Sequence, residues 1–337
     1  MNDMKQELDA VIDWVQVTFK ELDHLEIMDD ILGFDSELMQ YEGKGRFRYA
    51  GKWKFGGIEV LTPPEDYLEM GHHIYMTGSA CRSFEIYLKA QQRTWYDFFA
   101  DCLRHGGKFT RLDIAIDDRN TYLDIRVLSE KLKNLECVSK FRNRLLIDSG
   151  TTAGEDTGNT INLGSSESLC SMVFYEKNYE QSRKTGLPVE TYGDWNRYEI
   201  RLKKDMATNC AKELATRKNI CFIGLGIINY YIRITVRSAT DKSRSRWKTW
   251  KPWEAFIAGM EKLKLSMRPA PRTLEQKKQW IANYVAPTLK MIQMADDNLG
   301  EDFIQDVINE TTLKISQKKI VEDYLFGIQE MRKPDVR

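Results

Sequence analysis

The sequence predicts an α+β protein built on a mainly antiparallel sheet with flanking helices, followed by a helical carboxy-terminal region. Three observations support this prediction. Residues 1–236 combine many short segments of period-two hydrophobicity with a few segments of helical periodicity. Two of the strand-like segments are separated by the turn-forming GSSES, as in a hairpin. From Pro252 onward the periodicity is almost wholly helical, so strands and helices are largely segregated along the chain.

The strand predictions rest on apolar and polar residues that alternate along the chain. The segments with this alternation are 11–19, 47–54, 58–61, 73–77, 111–118, 144–147, 160–163, 171–175, 197–203 and 230–236. The pair 160–163 and 171–175 forms the predicted hairpin.

The first predicted helix begins at Thr94, where Asp97 completes a capping-box pattern, and it ends at the glycine pair that starts with Gly106. Asp124 is the predicted N-cap of a second helix that extends to residue 135. Residues 206–217 are predicted to form a third helix.

In the carboxy-terminal region, Pro252 occupies a first-turn position and Thr273 opens a further helix. Pro287 should kink or break that helix, because proline cannot donate the backbone hydrogen bond. A final helix is predicted to place five apolar residues on one face: Ile320, Val321, Tyr324, Leu325 and Ile328.

Composition excludes several classes of protein. Lysine plus arginine number 50, as do aspartate plus glutamate, so any attraction to nucleic acid must come from local patches. The six cysteines include no CxxC pair, which argues against a zinc ribbon or a disulfide scaffold and predicts reduced thiols. The amino terminus lacks a secretory signal pattern, and the most apolar run, 221–234, is too short to cross a membrane. We therefore expect a cytoplasmic protein.

The motif RLDIAIDD places carboxylates on one face of a strand. Alternation puts Leu112, Ile114 and Ile116 on the apolar face and Asp113 and Asp117 on the other. Residues four apart on a strand are separated by about 13 Å, so these two carboxylates are not expected to bind the same ion directly.

A second strand, RYEIRLK, carries Glu199 on its polar face. If the two strands are neighbours, Asp113 and Glu199 can share one magnesium or manganese ion through oxygen ligands. The alternative is that these carboxylates line a solvated face of the sheet.

The stretch CSMVFYEKNYEQ runs from an apolar strand into a helix-compatible segment and places Tyr175 at the strand end. A phenol is a poor nucleophile until a metal or base stabilises the phenolate, and Lys177 is placed to neutralise a phosphate. The alternative for any one tyrosine is a packing role.

Cations interleaved with tryptophans follow the last predicted strand. They suit phosphate contacts and base stacking, although a charged linker with packed tryptophans has the same pattern. The predicted DNA-binding residues are Arg237, Lys242, Arg244, Arg246, Trp247 and Lys248, with Arg201 beside the acidic pair. A second basic stretch, 44–54, fits a solvated hairpin better than an arm over duplex DNA. The adjacent His72 and His73 point to opposite faces of a strand and cannot form a histidine pair for a metal.

Several of these segments, in this order, resemble the replication initiation factor family, which includes rolling-circle initiators of plasmids and relaxases of integrative conjugative elements. The segments are IDWVQVTF, MGHHIYMTGSACRSFE, FTRLDIAIDD, INLGS with MVFYEK, DWNRYEIRLK and SRWKTWKPWEAFIAGMEKLKL. The last of them most resembles the relaxases of conjugative transposons. Those relatives often carry an amino-terminal helix-turn-helix domain, whereas the catalytic region is expected to begin at the start of this sequence.

The resemblance implies that Tyr175 is the nucleophile, assisted by Lys177, and that Asp113, Asp117 and Glu199 form a site for Mg or Mn. Asp117 acts through water or binds DNA if the distance along the strand excludes it from the ion. Tyr179 is either a second nucleophile or a packing residue.

The implied activity is a site-specific, metal-dependent DNA endonuclease and strand transferase, a relaxase that nicks an origin through a 5′-phosphotyrosine. The alternatives are a plasmid rolling-circle initiator with the same chemistry and a non-catalytic origin-binding protein. We expect a nicking domain at 1–236, a basic connector at 237–251 and helices at 252–337. The expected partners are single-stranded or melted origin DNA and a helicase or coupling protein. The sequence does not decide between a monomer and a homodimer.

Overall fold

The protein is described by a computed structural model that covers residues 8–257, 263, 265, 274, 278, 281–313, 317–318, 321–322 and 325. The chain divides into two compact units, Met1–Met267 and Arg268–Arg337. Residues 237–251, predicted to form a connector, lie within the first unit together with residues 1–236.

The first unit is organised around a ten-stranded sheet in which every neighbouring pair of strands is antiparallel. The strand order is β2-β3-β4-β5-β1-β6-β11-β10-β9-β8. The strands are β1 Asp9–Phe19, β2 Gln40–Glu42, β3 Gly51–Phe55, β4 Ile58–Thr62, β5 His72–Met76, β6 Lys108–Asp118, β8 Arg144–Gly150, β9 Asp156–Leu163, β10 Cys170–Glu176 and β11 Asn196–Lys203. The predicted α+β class with a mainly antiparallel sheet is confirmed, and so is the hairpin of β9 and β10.

Two strands lie outside this sheet: β7, Cys137–Ser139, pairs with β12, Ile232–Ile234. The strand predicted at 230–236 is therefore shorter than expected and belongs to a separate two-stranded sheet. The reason is the helix Ile220–Tyr231, which takes up most of the apolar run. Asn219 caps this helix by accepting from the backbone N–H of Phe222 at 2.9 Å.

Local sequence signals at the helix ends are confirmed. Thr94 forms the predicted capping box with Asp97 at the start of helix Trp95–Arg104. Asp124 caps helix Ile125–Lys133, and helix Asp205–Arg217 matches the third prediction.

One helix follows the strand that carries Tyr175, and another follows the amino-terminal strands. Helix Lys177–Thr185 follows β10 directly, and helix Gly78–Ala90 follows β5. Sequence periodicity did not predict the second of these. The strand predicted at 47–54 begins only at Gly51, because Phe47 and Arg48 adopt positive φ angles of 55° and 70° in the preceding turn. Shorter helical turns occur at His24–Glu26, Ile27–Leu32, Ser36–Leu38, Glu65–Met70, Val189–Tyr192 and Arg244–Arg246.

The two faces of β6 have different environments, which positions the candidate site. Leu112, Ile114 and Ile116 are fully buried, and the helices Asp205–Arg217 and Ile220–Tyr231 pack on this strand. Gly224 makes a close approach possible, since a Cβ there would lie 3.0 Å from Ile116 Cδ1. The opposite face carries the carboxylates of the RLDIAIDD motif.

The second unit contains helices Ala286–Leu299 and Phe303–Glu310, preceded by a π-helical turn at Ile281–Val285. Pro287 lies in the first turn of Ala286–Leu299, directly after the change of helix type, as predicted. Of the predicted final helix, Val321 and Leu325 are helical, and Ile320, Tyr324 and Ile328 lie outside the described residues. The helical character of the carboxy-terminal region is confirmed.

The six cysteines form no disulfide, in agreement with the prediction of free thiols. Within the part of the chain that the structure describes, no helix has both the length and the apolar character needed to span a bilayer.

The helix Lys251–Ile257 is held in the core of the first unit by aromatic packing. Trp253 is 1% exposed, and the ring centroids of Phe256 and of Tyr198 on β11 are 4.5 Å apart. We expect Trp253→Ala to destabilise the protein by about 3 to 5 kcal/mol, because the cavity left by a buried tryptophan does not collapse. Chemical unfolding measures this. Lys248→Ala, an exposed change three residues before this helix, should shift stability by less than about 0.5 kcal/mol. An equal effect of the two changes would contradict the packing role.

Candidate active site

The central strands β6, β11 and β10 bring the predicted site residues onto one face of the sheet. The register pairs Asp113 with Arg201, Asp117 with Arg197, and Arg197 with Tyr175. The condition that the two acidic strands be neighbours is met. Glu199 therefore lies two residues along β11 from both Arg197 and Arg201, between the positions paired with Tyr175 and Asp113.

Tyr175 is hydrogen-bonded on both sides of its hydroxyl group. Its Oη donates to Glu199 Oε1 at 2.7 Å, and Lys177 Nζ donates to the same Oη at 3.3 Å. The Lys177 side chain is itself buried and also contacts the carboxylate of Glu180. A proton acceptor and a cation thus converge on one phenol at the end of β10.

Burial raises the pKa of Tyr175 well above its usual range, and the negative charges of Glu199 and Glu180 raise it further. The phenol is therefore protonated at neutral pH. It becomes a nucleophile only as its proton is transferred, and Glu199 is the acceptor in contact with that proton.

Asp113 is 2% exposed and is held by Arg111, whose Nε lies 3.1 Å from Oδ1 and whose Nη2 lies 2.5 Å from Oδ2. The guanidinium of Arg111 also stacks over Trp14 at 3.8 Å. Burial raises the pKa of Asp113 to about 6, although Arg111 acts in the opposite direction. Glu199 contributes to the increase through charge repulsion.

Asp117 has both carboxylate oxygens occupied. Arg197 binds it in a bidentate manner at 2.8 and 2.7 Å, and the indole Nε1 of Trp195 donates to Oδ1 at 2.7 Å. This arrangement gives Asp117 the role of holding Arg197 beside Tyr175.

Asp13 is a site residue that the sequence analysis missed. It lies at an irregularity in the pairing of β1 with β6, and its Oδ1 is 3.3 Å from Nη1 of Arg197. Burial raises its pKa, Arg197 lowers it, and Glu199 raises it. The signal was present in the spacing of buried residues, which is three from Ile12 to Val15 and two from Val15 to Val17. That change of period marks a bulge that turns an acidic residue towards the site.

Tyr175, Glu199 and Asp13 line a cleft of about 520 Å³, and Asp113 and Asp117 are not among its lining residues. Both cations and carboxylates line it: Arg82, Lys177, Lys184 and Arg197, with Asp13, Glu180 and Glu199. Gly78 and Ser79, at the start of helix Gly78–Ala90, complete one wall. The cleft offers positive charge for a phosphate directly beside the tyrosine hydroxyl.

Among the described residues, no three His, Cys, Asp or Glu side chains are grouped so as to hold a metal ion. Arg111 and Arg201 occupy oxygens of Asp113 and Glu199 in this arrangement. Asp113 and Glu199 nevertheless lie on neighbouring strands and offer carboxylate oxygens, the donors that a hard cation prefers. Asp117 is occupied in the same way, by Arg197 and Trp195, and it lies four residues along β6 from Asp113.

The predicted DNA-binding residues fall into two groups. Arg201 pairs with Glu199 at 2.7 Å, Arg237 donates to the carbonyl oxygen of Asn134 at 2.7 Å, and Arg246 pairs with Asp241 at 2.7 Å. Trp247 is 9% exposed and donates to the carbonyl oxygen of Asp241 at 2.6 Å, so it packs rather than presenting a stacking surface. The second group consists of exposed side chains for which no ion pair or side-chain hydrogen bond is seen among the described residues: Lys242, Arg244 and Lys248.

Internal contacts also occupy side chains of the second basic stretch and of the histidine pair. In the second basic stretch, Arg46 and Lys52 both pair with Glu59, at 2.9 and 3.2 Å. His73 is buried, lies 2.8 Å from the hydroxyl of Thr18, and has a pKa lowered to about 4 by burial.

Tyr179 contacts Gly158, where a Cβ would lie 2.8 Å from Tyr179 Cβ. Its hydroxyl donates to Asp156 at 3.2 Å, away from the contacts of Tyr175. These contacts match the packing role rather than a second nucleophile.

Asp113→Asn should stabilise the protein above pH 6, although it removes a carboxylate from the candidate active site. Because folding raises the pKa of Asp113 from 3.8 to about 6, its ionisation disfavours the folded state, and stability is lost as pH rises through this range. We expect a gain of about 1 to 3 kcal/mol at pH 8 and little change at pH 4. Urea unfolding at the two pH values measures it. If the stability of the variant minus that of the wild type were lower at pH 8 than at pH 4, the raised pKa of Asp113 would be contradicted.

Comparison with known proteins was consistent across sequence and structure. Residues 107–308 match the family described as "Replication initiation factor", and residues 9–101 match "Rolling Circle replication initiation protein N-terminal domain". A Bacillus subtilis (strain 168) protein named "Putative DNA relaxase NicK" is 37% identical over 324 residues, which are 96% of this chain and 91% of that protein. The structure of a rolling-circle replication initiator from Geobacillus stearothermophilus is 31% identical and covers 77% of this chain and 99% of its own, with a TM-score of 0.66.

Proposed function

Because the chain belongs to the replication initiation factor family, we propose that it nicks one DNA strand at an origin and transfers that strand, with Tyr175 as the nucleophile. The observation that carries the proposal is the hydrogen-bonded group of Tyr175, Glu199 and Lys177 in a cationic cleft. The relatives, named as a DNA relaxase and a rolling-circle initiator, support DNA as the substrate.

In the proposed reaction, Tyr175 Oη attacks the scissile phosphorus while its proton passes to Glu199 Oε1. The bond from tyrosine oxygen to phosphorus forms, the bond from phosphorus to the 3′ oxygen breaks, and the leaving oxygen takes a proton from water. The products are a 5′-phosphotyrosine and a free 3′-hydroxyl. Since the new ester conserves the energy of the broken bond, a 3′-hydroxyl can reverse the step and rejoin the strand without ATP.

The cations of the cleft act on the charge that develops in this step. Lys177 lies next to the forming phenolate, and Arg197, held by Asp117, faces the same tyrosine. Arg82 lies in the cleft wall. Positive groups fixed before the reaction stabilise a phosphoryl transition state more than mobile water does.

The proposal includes a divalent cation, Mg or Mn, as in the prediction from the sequence. Asp113 and Glu199 are the carboxylates that would hold it, in competition with Arg111 and Arg201. When bound, such an ion polarises the scissile phosphate.

Further DNA contacts are proposed for the exposed cations Lys242, Arg244 and Lys248. Arg201, Arg237, Arg246 and Trp247 would act by shaping the protein, given their internal partners. The proposed nicking domain includes Asp13 to Glu199, within residues 1–236. We favour a relaxase role in mobilisation over plasmid replication; a coupling protein is the expected partner in the first case and a helicase in the second.

The test uses an oligonucleotide that contains the origin nick site of the element encoding the protein, labelled at either end and incubated with Mn²⁺. A covalent adduct that retains only the 3′-end label supports a 5′-phosphotyrosine. An adduct that retains the 5′-end label would contradict the polarity. Tight, origin-specific binding without an adduct would instead support the alternative of a non-catalytic origin-binding protein.

A further inference from the structure

A second cleft lies outside the candidate active site, in the same unit. It has a volume of about 500 Å³ and lies between β7, the loop before β8 and the turn Arg244–Arg246. Three guanidinium groups from these segments line it, from Arg142, Arg144 and Arg244, and we call it the arginine cleft. It shares no lining residue with the cleft at Tyr175.

The three arginines differ from most of the other arginines that the structure describes in having no anionic partner. The chain has equal numbers of basic and acidic residues, and Arg93, Arg111 and Arg197 are typical in forming ion pairs. Within the described residues, no ion pair or hydrogen bond involves the guanidinium of Arg142, Arg144 or Arg244. All three side chains are exposed, and no acidic residue lines the cleft. An unbalanced group of like charges in one concavity produces a positive field that attracts an anion.

The three arginines line one cleft, although they come from two distant stretches of the chain, 142–144 and 244. Arg144 and Arg244 both act on the thiol of Cys137, whose pKa is raised by burial and lowered by these two charges. Keeping like charges together opposes folding unless a ligand compensates them, so the arrangement indicates binding more than stability.

The lining of the cleft also includes apolar side chains. Leu135, Val138, Phe141 and Leu163 line it, and Leu135 is 47% exposed. Phe141 is held in place by stacking on Tyr231, with ring centroids 5.1 Å apart and an angle of 20° between the planes. Arginines for phosphates beside a rigid apolar surface for bases are the two features that single-strand binding sites combine.

We propose that the arginine cleft binds a segment of single-stranded DNA, with phosphates on Arg142, Arg144 and Arg244 and an unstacked base against the apolar side chains of the lining. This inference rests on the proposed function, because it takes DNA as the ligand. A single strand fits better than a duplex, since a cleft of this size is typical of sites that enclose groups of small-molecule size. The site would retain a strand during the covalent step at Tyr175.

The test is fluorescence anisotropy with a 30-nucleotide oligodeoxythymidine and a 30-base-pair duplex across a salt series. In Arg142→Ala/Arg144→Ala, we expect single-strand affinity to fall about tenfold or more. The slope of log affinity against log salt should decrease by about 1.4, because each phosphate contact on a single strand contributes about 0.7. The matched control, Lys89→Ala/Lys212→Ala, removes two exposed cations from helices outside the cleft and should leave both quantities unchanged.

Equal single-strand affinity in the two double variants would overturn the proposal. Loss of duplex affinity with single-strand affinity intact would overturn it as well. Thermal unfolding of both variants excludes misfolding, since all four positions are exposed. Failure of the proposed function is separable: it appears as a wild-type protein that forms no adduct, whatever its affinity for the oligonucleotide.

Discussion

Tyr175→Phe should abolish the covalent DNA adduct and lower the nicking rate by about 10⁴-fold or more. The change removes one oxygen atom, which is the atom proposed to attack phosphorus. It leaves the ring and its strand in place, so DNA affinity should stay within about twofold of the wild type. Single-turnover cleavage of the labelled origin oligonucleotide measures the rate, and anisotropy measures the affinity.

Tyr179→Phe is the matched control, because it removes a hydroxyl four residues later on the following helix. That hydroxyl contacts Asp156 and not the site, so the adduct should form at nearly the wild-type rate. If Tyr179→Phe abolished the adduct and Tyr175→Phe did not, the assignment of the nucleophile would be reversed. Loss of activity only in the double variant would indicate that either tyrosine can attack.

Glu199→Gln should lower the single-turnover cleavage rate by about 10² to 10⁴-fold, with DNA affinity little changed. The amide keeps the size of the side chain and can still accept from Tyr175, but it is a far weaker base for the phenolic proton. Single-turnover rates at saturating DNA isolate this effect from binding.

The control for this change is Glu176→Gln, on the same strand end. Glu176 accepts from the backbone N–H of Asn159 at 2.8 Å, a bond that glutamine can retain. Its cleavage rate should therefore stay within a few-fold of the wild type. A wild-type rate in Glu199→Gln would exclude Glu199 as the proton acceptor and would leave Lys177 as the principal group acting on Tyr175.

Much of the fold is predictable because it depends on local periodicity and capping. The strands that contain Asp113, Tyr175 and Glu199 follow directly from alternation, and the helix at Thr94 follows from its capping box. The helix Ile220–Tyr231 was not predicted, because an almost wholly apolar run has no polar face to reveal its period. The position of Trp247 was also unpredictable, since an indole between cations can stack on a base or pack inside.

The sequence by itself determined the α+β class, the acidic and tyrosine-bearing strands, and the face of its own strand that each acidic residue occupies, because side-chain direction along a strand is a local property. Only the tertiary structure decided which charges meet. It paired Asp117 with Arg197, joined Tyr175 to Glu199 and Lys177, brought in Asp13 through a bulge, and gathered Arg142, Arg144 and Arg244 into one cleft. Those groups come from segments far apart in the chain, and the energy of a charge depends on its neighbours in space, which strand register and burial set.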